Sequence, residues 1–150
     1  MAEISVLAPL DGTIVPLEDV PDEVFAQKMV GDGVAIAPSG TVAVAPVGGT
    51  LVKLFPGGHA FGIATEDGVE LIVHIGLDTV ELNGKGFENI AREGQEVHAG
   101  TPIVSYQRET ITQSGKSVLS PIVSSGSGTI IWRASGTVVA GRDPLFVLRV

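Results

Sequence analysis

The chain has 150 residues, with 17 acidic and 9 basic side chains, a formal net charge of −8 and no cysteine. The length suits one domain with its own core, and we expect a single domain over residues 1–150. The lack of cysteine excludes disulfides and thiolate metal sites, and the acidic balance argues against general nucleic-acid binding. No apolar run approaches the roughly 20 residues of a membrane span and no signal peptide is visible, so we expect a cytoplasmic protein without a membrane span.

Two pairs of similar segments indicate an internal repeat. APLDGTIVPL (8–17) resembles APVGGTLVKL (45–54), and VHAGTPIV (97–104) resembles VVAGRDPLFV (138–147). Twenty glycines and nine prolines among many Val, Ile and Thr predict short strands joined by tight turns. The pattern predicts an all-β fold, an antiparallel β-sandwich or barrel-like domain built from repeated hairpins, with one or two short helices.

The next element, residues 60–75, has the pattern of a β-hairpin: AFGIA, a turn at TEDG, then VELIVHI. A four-residue loop over 65–68 places His59 directly opposite His74, with Cβ atoms about 5 Å apart. A two-residue turn would instead place His74 opposite Phe61, with His59 as a diagonal neighbour. In either register the two histidines are neighbours.

Both registers also put the two histidines on one face of the hairpin, because side chains alternate with period two. The residues expected on that face are His59, Phe61, Ile63, Glu70, Ile72 and His74. Two imidazoles in contact cannot both be charged cheaply, so their pKa values must be coupled. Each histidine alone is compatible with a structural role in the core or its rim, but the pair favours a functional site.

The segments after the hairpin carry weaker patterns. Residues 79–91 predict a loop and one short helix near 87–92, because Asn-Gly-Lys-Gly interrupts the apolar spacing. Residues 107–127 are rich in Ser, Thr and Gly and predict a surface connection with a weakly helical beginning. His98 falls in a predicted exposed turn, and we expect it to be a surface residue without a catalytic role.

Three chemistries could use a histidine pair. Zinc normally needs three or four protein ligands, and the chain lacks HExxH, HxH and cysteine, so a closed site would need a distant carboxylate. Hydrolysis by a serine or threonine nucleophile would need a motif that the chain lacks. In the third chemistry one imidazole takes a phosphoryl group on nitrogen while the other holds its geometry or the phosphate. Gly76 would then leave room for a phosphate or partner backbone, and Asp78 would meet an incoming Arg or Lys, although a bulge and a helix cap explain them equally well.

The long segment GVELIVHIGLDTVELNGKGF (68–87) resembles the active-site segment of the glucose-type IIA domain of the bacterial phosphoenolpyruvate-dependent sugar phosphotransferase system. Further similar segments are APLDGTIVPLEDVPDEVFAQKMVGDGVAI (8–36), APVGGTLVKLF (45–55) and AREGQEVHAGTPI (91–103). The resemblance runs from about residue 3 to the end and is looser over 107–135.

The resemblance implies an antiparallel β-sandwich that acts as a phosphocarrier. His74 would accept the phosphoryl group through Nε2 from the phosphocarrier HPr and pass it to a IIB domain, while His59 would support the phosphohistidine. No cofactor is required, although the family allows transient zinc at His59 and His74 with a ligand from a partner. The partner-binding residues implied by position are the apolar Val24, Phe25, Val30, Phe61 and Ile72 and the acidic Asp22, Asp32 and Asp78.

Two departures and two rival functions accompany this interpretation. Many family members carry Thr two residues before the first histidine, whereas this chain has Gly57, so the tautomer of His59 would be fixed otherwise, for instance by a backbone carbonyl. Because Met1 stands close to the first strand, we expect no membrane-associating tail.

One rival function is that of a regulatory module that docks on transporters or metabolic enzymes when unphosphorylated. The other is a lysostaphin-like zinc peptidase, which would need an HxH pair that the chain lacks.

Overall fold

In the computed structural model, which describes residues 2–150, short strands follow one another along almost the whole chain, and Met1 lies outside the described residues. The strands are β1 (Glu3–Leu7), β2 (Gly12–Pro16), β3 (Asp32–Pro38), β4 (Val42–Val44), β5 (Gly49–Leu54), β6 (Ala60–Ala64), β7 (Glu70–His74), β8 (Phe87–Asn89), β9 (Glu96–Val97), β10 (Pro102–Tyr106), β11 (Ser120–Ser125), β12 (Thr129–Arg133), β13 (Thr137–Val138) and β14 (Pro144–Arg149). The helices are α1 (Glu23–Ala26) and α2 (Arg108–Gln113), and 3₁₀ turns cover Leu17–Asp19 and Thr79–Leu82. Among residues 2–150 no helix has the length and hydrophobicity needed to cross a bilayer.

The strands form one large sheet and two small ones, and each described strand pair is antiparallel. The large sheet has the order β13-β2-β3-β11-β7-β6-β5-β9, and the small sheets have the orders β1-β14-β12 and β4-β10-β8. Within the described chain the large sheet ends in β13 and β9 and does not close into a barrel. The predicted all-β antiparallel fold with few short helices is confirmed.

Two apolar clusters cover opposite faces of the large sheet. The main cluster joins this sheet to the small sheets and includes Leu51, Leu71 and Phe146, all almost fully buried. The second cluster packs α1 and the preceding 3₁₀ turn against β3, β11 and β7, with Phe25 and Ile72 among its members. Side chains of β7 that face away from the main core therefore lie beside α1, and His74 is one of them.

The predicted repeat is visible in the backbone hydrogen bonds. Leu7 N–H donates to the Pro46 carbonyl at 2.9 Å, and in the corresponding position Val44 N–H donates to the Pro9 carbonyl at 2.9 Å. Each copy of the Ala-Pro segment thus binds the strand that leads into the other copy. The two copies are related by an approximate twofold arrangement.

The second pair of similar segments obeys the same relation. Gly100 N–H donates to the Ala45 carbonyl and Gly141 N–H donates to the Ala8 carbonyl, both at 2.8 Å. Each V-x-A-G turn therefore closes on the Ala of one Ala-Pro segment, so the repeat in the sequence corresponds to a repeat in three dimensions.

Two local predictions after the hairpin were wrong. Residues 87–89 form β8, which pairs with β10, and no helix lies near 87–92; the ladder of β10 outweighs the weak helical spacing. The segment 107–127 begins with α2 as expected, but it is no surface connection, because β11 lies between β3 and β7 in the large sheet. Buried Ile122 and Val123 place this Ser-rich strand in the middle of the sheet.

Candidate functional site

The hairpin of β6 and β7 brings the two histidines together, but in neither predicted register. His74 is opposite Ala60, and Ala64 is opposite Glu70, so the loop has five residues, 65–69. Thr65 N–H donates to the carbonyl of Val69 at 2.9 Å, which places Val69 in the turn and not in the strand. Both predicted registers were wrong by one residue.

This shift changes which side chains share the face of His74. Phe61 and Ile63 turn to the main core, and Phe61 is only 1% exposed. Ala60 and Gly62 occupy the His74 face instead, opposite His74 and Ile72. The predicted apolar face was therefore wrong for Phe61 and Ile63.

His59 reaches His74 because it lies just before β6, outside the strict alternation of the strand. Gly58 adopts a left-handed conformation with φ +80°, and the carbonyl of His59 accepts a hydrogen bond from Ile75 N–H at 2.7 Å. The two imidazole centroids lie 5.3 Å apart at an interplanar angle of 74°. The predicted contact of the two histidines is confirmed, although the register that predicted it was wrong.

Aromatic rings enclose the pair on both sides. The Phe55 ring lies 5.1 Å from the His59 ring, and the Phe25 ring lies 5.3 Å from the His74 ring. His59 is only 5% exposed, whereas His74 is half-buried. The more accessible ring, His74, is the better placed to meet a second protein.

This apolar surround lowers the pKa of both histidines. Burial is the main cause for each, and the neighbouring His74 lowers the pKa of His59 further. For His74 the hydrogen bond to Gly76 and the carboxylates of Asp22 and Asp78 act in the opposite direction. At neutral pH both rings are therefore uncharged imidazoles, and an uncharged imidazole has a nitrogen lone pair.

The position of the proton on His74 follows from one hydrogen bond. Its Nδ1 lies 2.7 Å from the carbonyl oxygen of Gly76. A carbonyl oxygen can only accept, so Nδ1 carries the proton and donates, and the lone pair resides on Nε2. Nε2 of His74 is thereby prepared to act as a nucleophile.

The backbone conformation and the packing within this chain require glycine at position 76. Its φ is +77°, and a Cβ there would lie 2.5 Å from Thr79 Cγ2 and 2.9 Å from the carbonyl oxygen of Ser117. The space beside its Cα is thus filled by this chain itself. The expectation that Gly76 leaves room for a phosphate or a partner was wrong.

His59 lacks a comparable hydrogen bond. Within residues 2–150 neither of its ring nitrogens is hydrogen-bonded to the chain, so the backbone carbonyl expected to fix its tautomer is not found. A Cβ on Gly57 would lie 3.6 Å from Nδ1 of His59. The glycine therefore stands where a side chain would reach the ring, and the imidazole keeps its N–H free for another acceptor.

A cavity of about 260 Å³ opens next to His74. It is lined by Phe25, Val30, Lys53, Phe55, Ala60, Phe61, Gly62, Glu70, Ile72 and His74. Val24 and Met29, which are next to Phe25 and Val30 in sequence, are 44% and 70% exposed. The structure thus brings Phe25, Val30 and Ile72 to the wall of one cavity beside His74, while Val24 is exposed next to Phe25 in sequence and the ring of Phe61 belongs to the core.

The three predicted acids differ in their availability. Asp78 is exposed, has φ +58° and makes no capping hydrogen bond with its side chain, and Asp22 caps α1 by accepting from Val24 N–H at 3.0 Å. Asp32, in contrast, lies 2.6 Å from Arg133 and 3.6 Å from Lys28. Asp32 stays a predicted partner contact, and these ion pairs partly compensate its charge within the chain.

Several residues of the site were not predicted. Lys53 lies near the end of β5 and Phe55 directly follows the strand. The signal that could have found them is the turn Pro56-Gly57-Gly58, which brings Phe55 back to His59. Ser120 lies close to Gly76, and nothing in its Ser-rich segment marks it as part of a site. His98 is exposed in a turn and away from the pair, as expected.

The residues present do not complete a metal site. Among residues 2–150 no group of three or more His, Cys, Asp or Glu side chains is arranged to hold a metal ion. The pair offers Nε2 of His74 and one nitrogen of His59, which is short of the three or four ligands that zinc takes in proteins. Any zinc here would need a donor from another molecule.

Comparison with known proteins places this arrangement in a family. The family model for the phosphoenolpyruvate-dependent sugar phosphotransferase system, EIIA 1, matches residues 4–140. The glucose-specific EIIA component of Haemophilus influenzae is 47% identical over 98% of this chain and 90% of that protein. The solved structure of glucose permease IIA from Mycoplasma capricolum superimposes with a TM-score of 0.95 at 44% identity, covering 99% of this chain and 97% of that one.

Similar sequence also occurs inside longer proteins. The N-acetylglucosamine-specific EIICBA component of Klebsiella pneumoniae is 45% identical over 97% of this chain. The matched region covers only 23% of the length of that longer protein. The family model covers most of the chain, and the Haemophilus influenzae relative is of nearly equal length. The chain therefore belongs to the EIIA family, the phosphoryl-carrying component of the phosphoenolpyruvate-dependent sugar phosphotransferase system.

Proposed function

We propose that this chain accepts a phosphoryl group from phospho-HPr on Nε2 of His74 and passes it to the IIB domain of a sugar permease. The observation that carries the proposal is the hydrogen bond from Nδ1–H of His74 to the Gly76 carbonyl. It keeps the proton on Nδ1 and the lone pair on Nε2, which is the state that a nitrogen nucleophile requires.

The transfer step needs neither a metal ion nor an additional base. The Nε2 lone pair attacks phosphorus, the P–N bond to the histidine of HPr breaks, and its electron pair returns to that nitrogen. The His74 ring then holds both the phosphoryl group on Nε2 and the proton on Nδ1, so it gains positive charge. The Gly76 carbonyl, Asp22 and Asp78 favour the charged ring, because each raises the pKa of His74.

His59 supports the phosphoryl group in this mechanism. Its ring lies beside the His74 ring and has no hydrogen-bonding partner within residues 2–150, so an N–H is free to donate to a phosphoryl oxygen. A hydrogen bond to a charged acceptor is stronger than one between neutral groups. Because His59 is buried, water screens this hydrogen bond less and the bond is stronger still. We assign His59 to stabilising the group during transfer to IIB.

The docking surface is apolar at its centre and acidic at its edge. Val24 and the cavity next to His74 form the apolar part, and Asp22 and Asp78 supply negative charge. Basic residues around the phosphohistidine of HPr and the acceptor of IIB would complement this arrangement. Charge would then speed the encounter and apolar contact would exclude water at the moment of transfer.

Transient zinc at the pair is a proposal separate from the transfer itself. Because Nδ1 of His74 is occupied by Gly76, zinc would bind Nε2, the same atom that takes the phosphoryl group. A ligand from a partner would have to complete the site. Zinc and phosphate would therefore exclude one another, and phosphorylation should abolish zinc binding measured by calorimetry in the presence of such a partner.

The same surface supports a second role as a regulatory docking module. The observation that favours this role is the apolar cavity next to His74, which is lined by Phe25, Val30 and Ile72 and which a partner would cover. Phosphorylation would add negative charge at the centre of this apolar surface. Transporters or metabolic enzymes would then bind the unphosphorylated protein alone, and equal binding of both forms would exclude this role.

The test of the primary function is a phosphorylation assay. Incubation with phosphoenolpyruvate, enzyme I and HPr should label His74, and a phosphorylated IIB domain should appear when IIB is added. His98→Gln, which alters a histidine outside the site, is the control and should label normally. A folded protein that acquires no label on His74 would overturn the proposal.

A further inference from the structure

The peptide groups on both sides of Gly76 are held by four hydrogen bonds from this chain. In the peptide between Ile75 and Gly76, the carbonyl accepts from Thr79 Oγ1 at 2.6 Å, and Gly76 N–H donates to Ser120 Oγ at 3.1 Å. Both ends of this peptide are therefore fixed by buried hydroxyl groups.

The following peptide carries the carbonyl that binds His74. Its N–H belongs to Leu77 and donates to the carbonyl of Ser117 at 3.0 Å, while its own carbonyl, that of Gly76, accepts from Nδ1 of His74. These bonds form a chain from Ser117 through the peptide to the imidazole, and each bond in such a chain polarises the next. The carbonyl is thus both oriented and strengthened as an acceptor.

Burial shows how unusual the two hydroxyl groups are. Apart from Tyr106, the buried polar or charged side chains among residues 2–150 are His59, Thr79 and Ser120, and both Thr79 and Ser120 are 0% exposed. All three border His74 or the turn that follows it. Ser120 in addition donates to the carbonyl of Val118 at 2.7 Å, so its oxygen is left to accept from Gly76.

We propose that Ser120 and Thr79 are positioning residues that hold the Gly76 turn and thereby fix the proton of His74 on Nδ1. This inference rests on the proposed function, for which Nε2 must keep its lone pair. Without the two hydroxyl groups the turn relaxes, the Gly76 carbonyl no longer faces the ring at all times, and the proton distributes between the two ring nitrogens. The fraction of His74 with a reactive Nε2 then falls.

The experiment measures the tautomer directly in the unphosphorylated protein. Nitrogen-15 NMR of the His74 ring should show only the Nδ1–H tautomer in the wild-type protein. In Ser120→Ala and Thr79→Val it should show a mixture of the Nδ1–H and Nε2–H tautomers. The rate of phosphoryl acceptance from phospho-HPr should fall about tenfold, in the range found when a group that orients a functional histidine is removed. The pKa of His74 should fall further, because the Gly76 hydrogen bond raises it.

Two more variants separate positioning from a general loss of stability. Ser120→Cys keeps the size of the side chain but accepts hydrogen bonds poorly, so it should show the same tautomer mixture with less cost in stability. Ser114→Ala removes a hydroxyl that donates to the Ile111 carbonyl in α2, outside the histidine cavity, and should leave the tautomer and the rate unchanged.

The outcomes distinguish this inference from the proposed function. If folded Ser120→Ala, Ser120→Cys and Thr79→Val all keep the pure Nδ1–H form, the positioning role is refuted, even if transfer is slower. If the original protein is never phosphorylated on His74, the proposed function fails, while the tautomer measurement still decides the role of Ser120 and Thr79.

Discussion

The imidazoles of His59 and His74 meet edge to face, with centroids 5.3 Å apart, although the two residues occupy different structural environments. His74 ends a strand and is tied to Gly76 through Nδ1, whereas His59 precedes a strand and its ring has no hydrogen-bonding partner within residues 2–150. In the proposed mechanism the His74 ring forms the bond to phosphorus and the His59 ring supports the bound group.

This asymmetry predicts different defects for the two glutamine variants. His74→Gln removes the nucleophile and should abolish phosphoryl acceptance. His59→Gln should still accept from phospho-HPr, but its transfer to IIB should be slower by about a hundredfold, the usual loss for one donor to a developing negative charge. Rapid-quench assays with HPr and with IIB measure the two steps. Equal loss of acceptance in both variants would contradict the division of roles.

A pH dependence follows from the lowered pKa values. Because burial lowers the pKa of both rings below the ordinary 6.5, the unfolded chain binds more protons than the folded protein as pH falls through that value. The free energy of unfolding should therefore decrease below about pH 6.5, and less steeply in the double variant His59→Gln/His74→Gln. Urea titrations from pH 7.5 to 5 measure this decrease.

The same shift should be visible in the rate of phosphoryl acceptance. Protonation of Nε2 blocks attack, so the rate should fall with a midpoint below pH 6.5. A midpoint at or above pH 6.5, after correction for the response of HPr itself, would mean that His74 is not desolvated in the working protein.

Gly76→Ala should damage both stability and acceptance. The left-handed φ costs a non-glycine residue about 1 kcal/mol, and the new methyl group would meet Thr79 and Ser117, so we expect a loss of about 3 kcal/mol in the free energy of unfolding. Gly94→Ala is the control, because Gly94 has φ +91° but open space at its Cβ position. It should lose about 1 kcal/mol and accept phosphate normally. Similar losses in both variants would show that packing at Gly76 is unimportant.

The acids should differ in their effect on the encounter with HPr. Asp22→Asn and Asp78→Asn should each slow association by up to about fivefold at low salt, the range of an exposed ion pair, and weaken its salt dependence. Asp32→Asn should change association less, because Arg133 and Lys28 already compensate its charge. Stopped-flow measurements of the association rate at several ionic strengths compare the three variants. A larger effect of Asp32→Asn than of Asp22→Asn and Asp78→Asn would contradict this prediction.

Substitution of Gly57 tests the freedom of the His59 ring. Gly57→Thr places a hydroxyl near Nδ1 of His59, because a Cβ there lies 3.6 Å from that nitrogen, and should favour one tautomer of the ring. Gly57→Val has the same shape without the hydroxyl and should leave the tautomers mixed. Nitrogen-15 NMR of His59 compares the two variants, and identical spectra would show that the side chain at position 57 does not reach the ring.

The fold was predictable from sequence where patterns are periodic. Repeated Ala-Pro and V-x-A-G segments predicted the repeated hairpins, and the hydrogen bonds of Pro9 and Pro46 show the same repeat in three dimensions. The strand β11 escaped prediction because Ser-rich segments are typical of loops, whereas here pairing with β3 and β7 buries the strand.

The sequence predicted which residues belong to the site better than it predicted the hairpin register that arranges them. Counting along the hairpin found the contact of His59 and His74, but it assigned Val69 to the strand, and this one residue put Phe61 on the wrong face. No local pattern reveals that Ser120 reaches Gly76 or that Arg133 compensates Asp32, because these contacts join segments far apart in the chain.

The most direct test of the central claim is to identify the atom that carries the phosphoryl group. The protein, labelled with nitrogen-15 in its histidines, is phosphorylated with phosphoenolpyruvate, enzyme I and HPr and studied by phosphorus and nitrogen NMR. We expect coupling of phosphorus to Nε2 of His74, with the proton retained on Nδ1. Phosphorus bound to Nδ1 of His74, or to His59 or His98, would contradict the account.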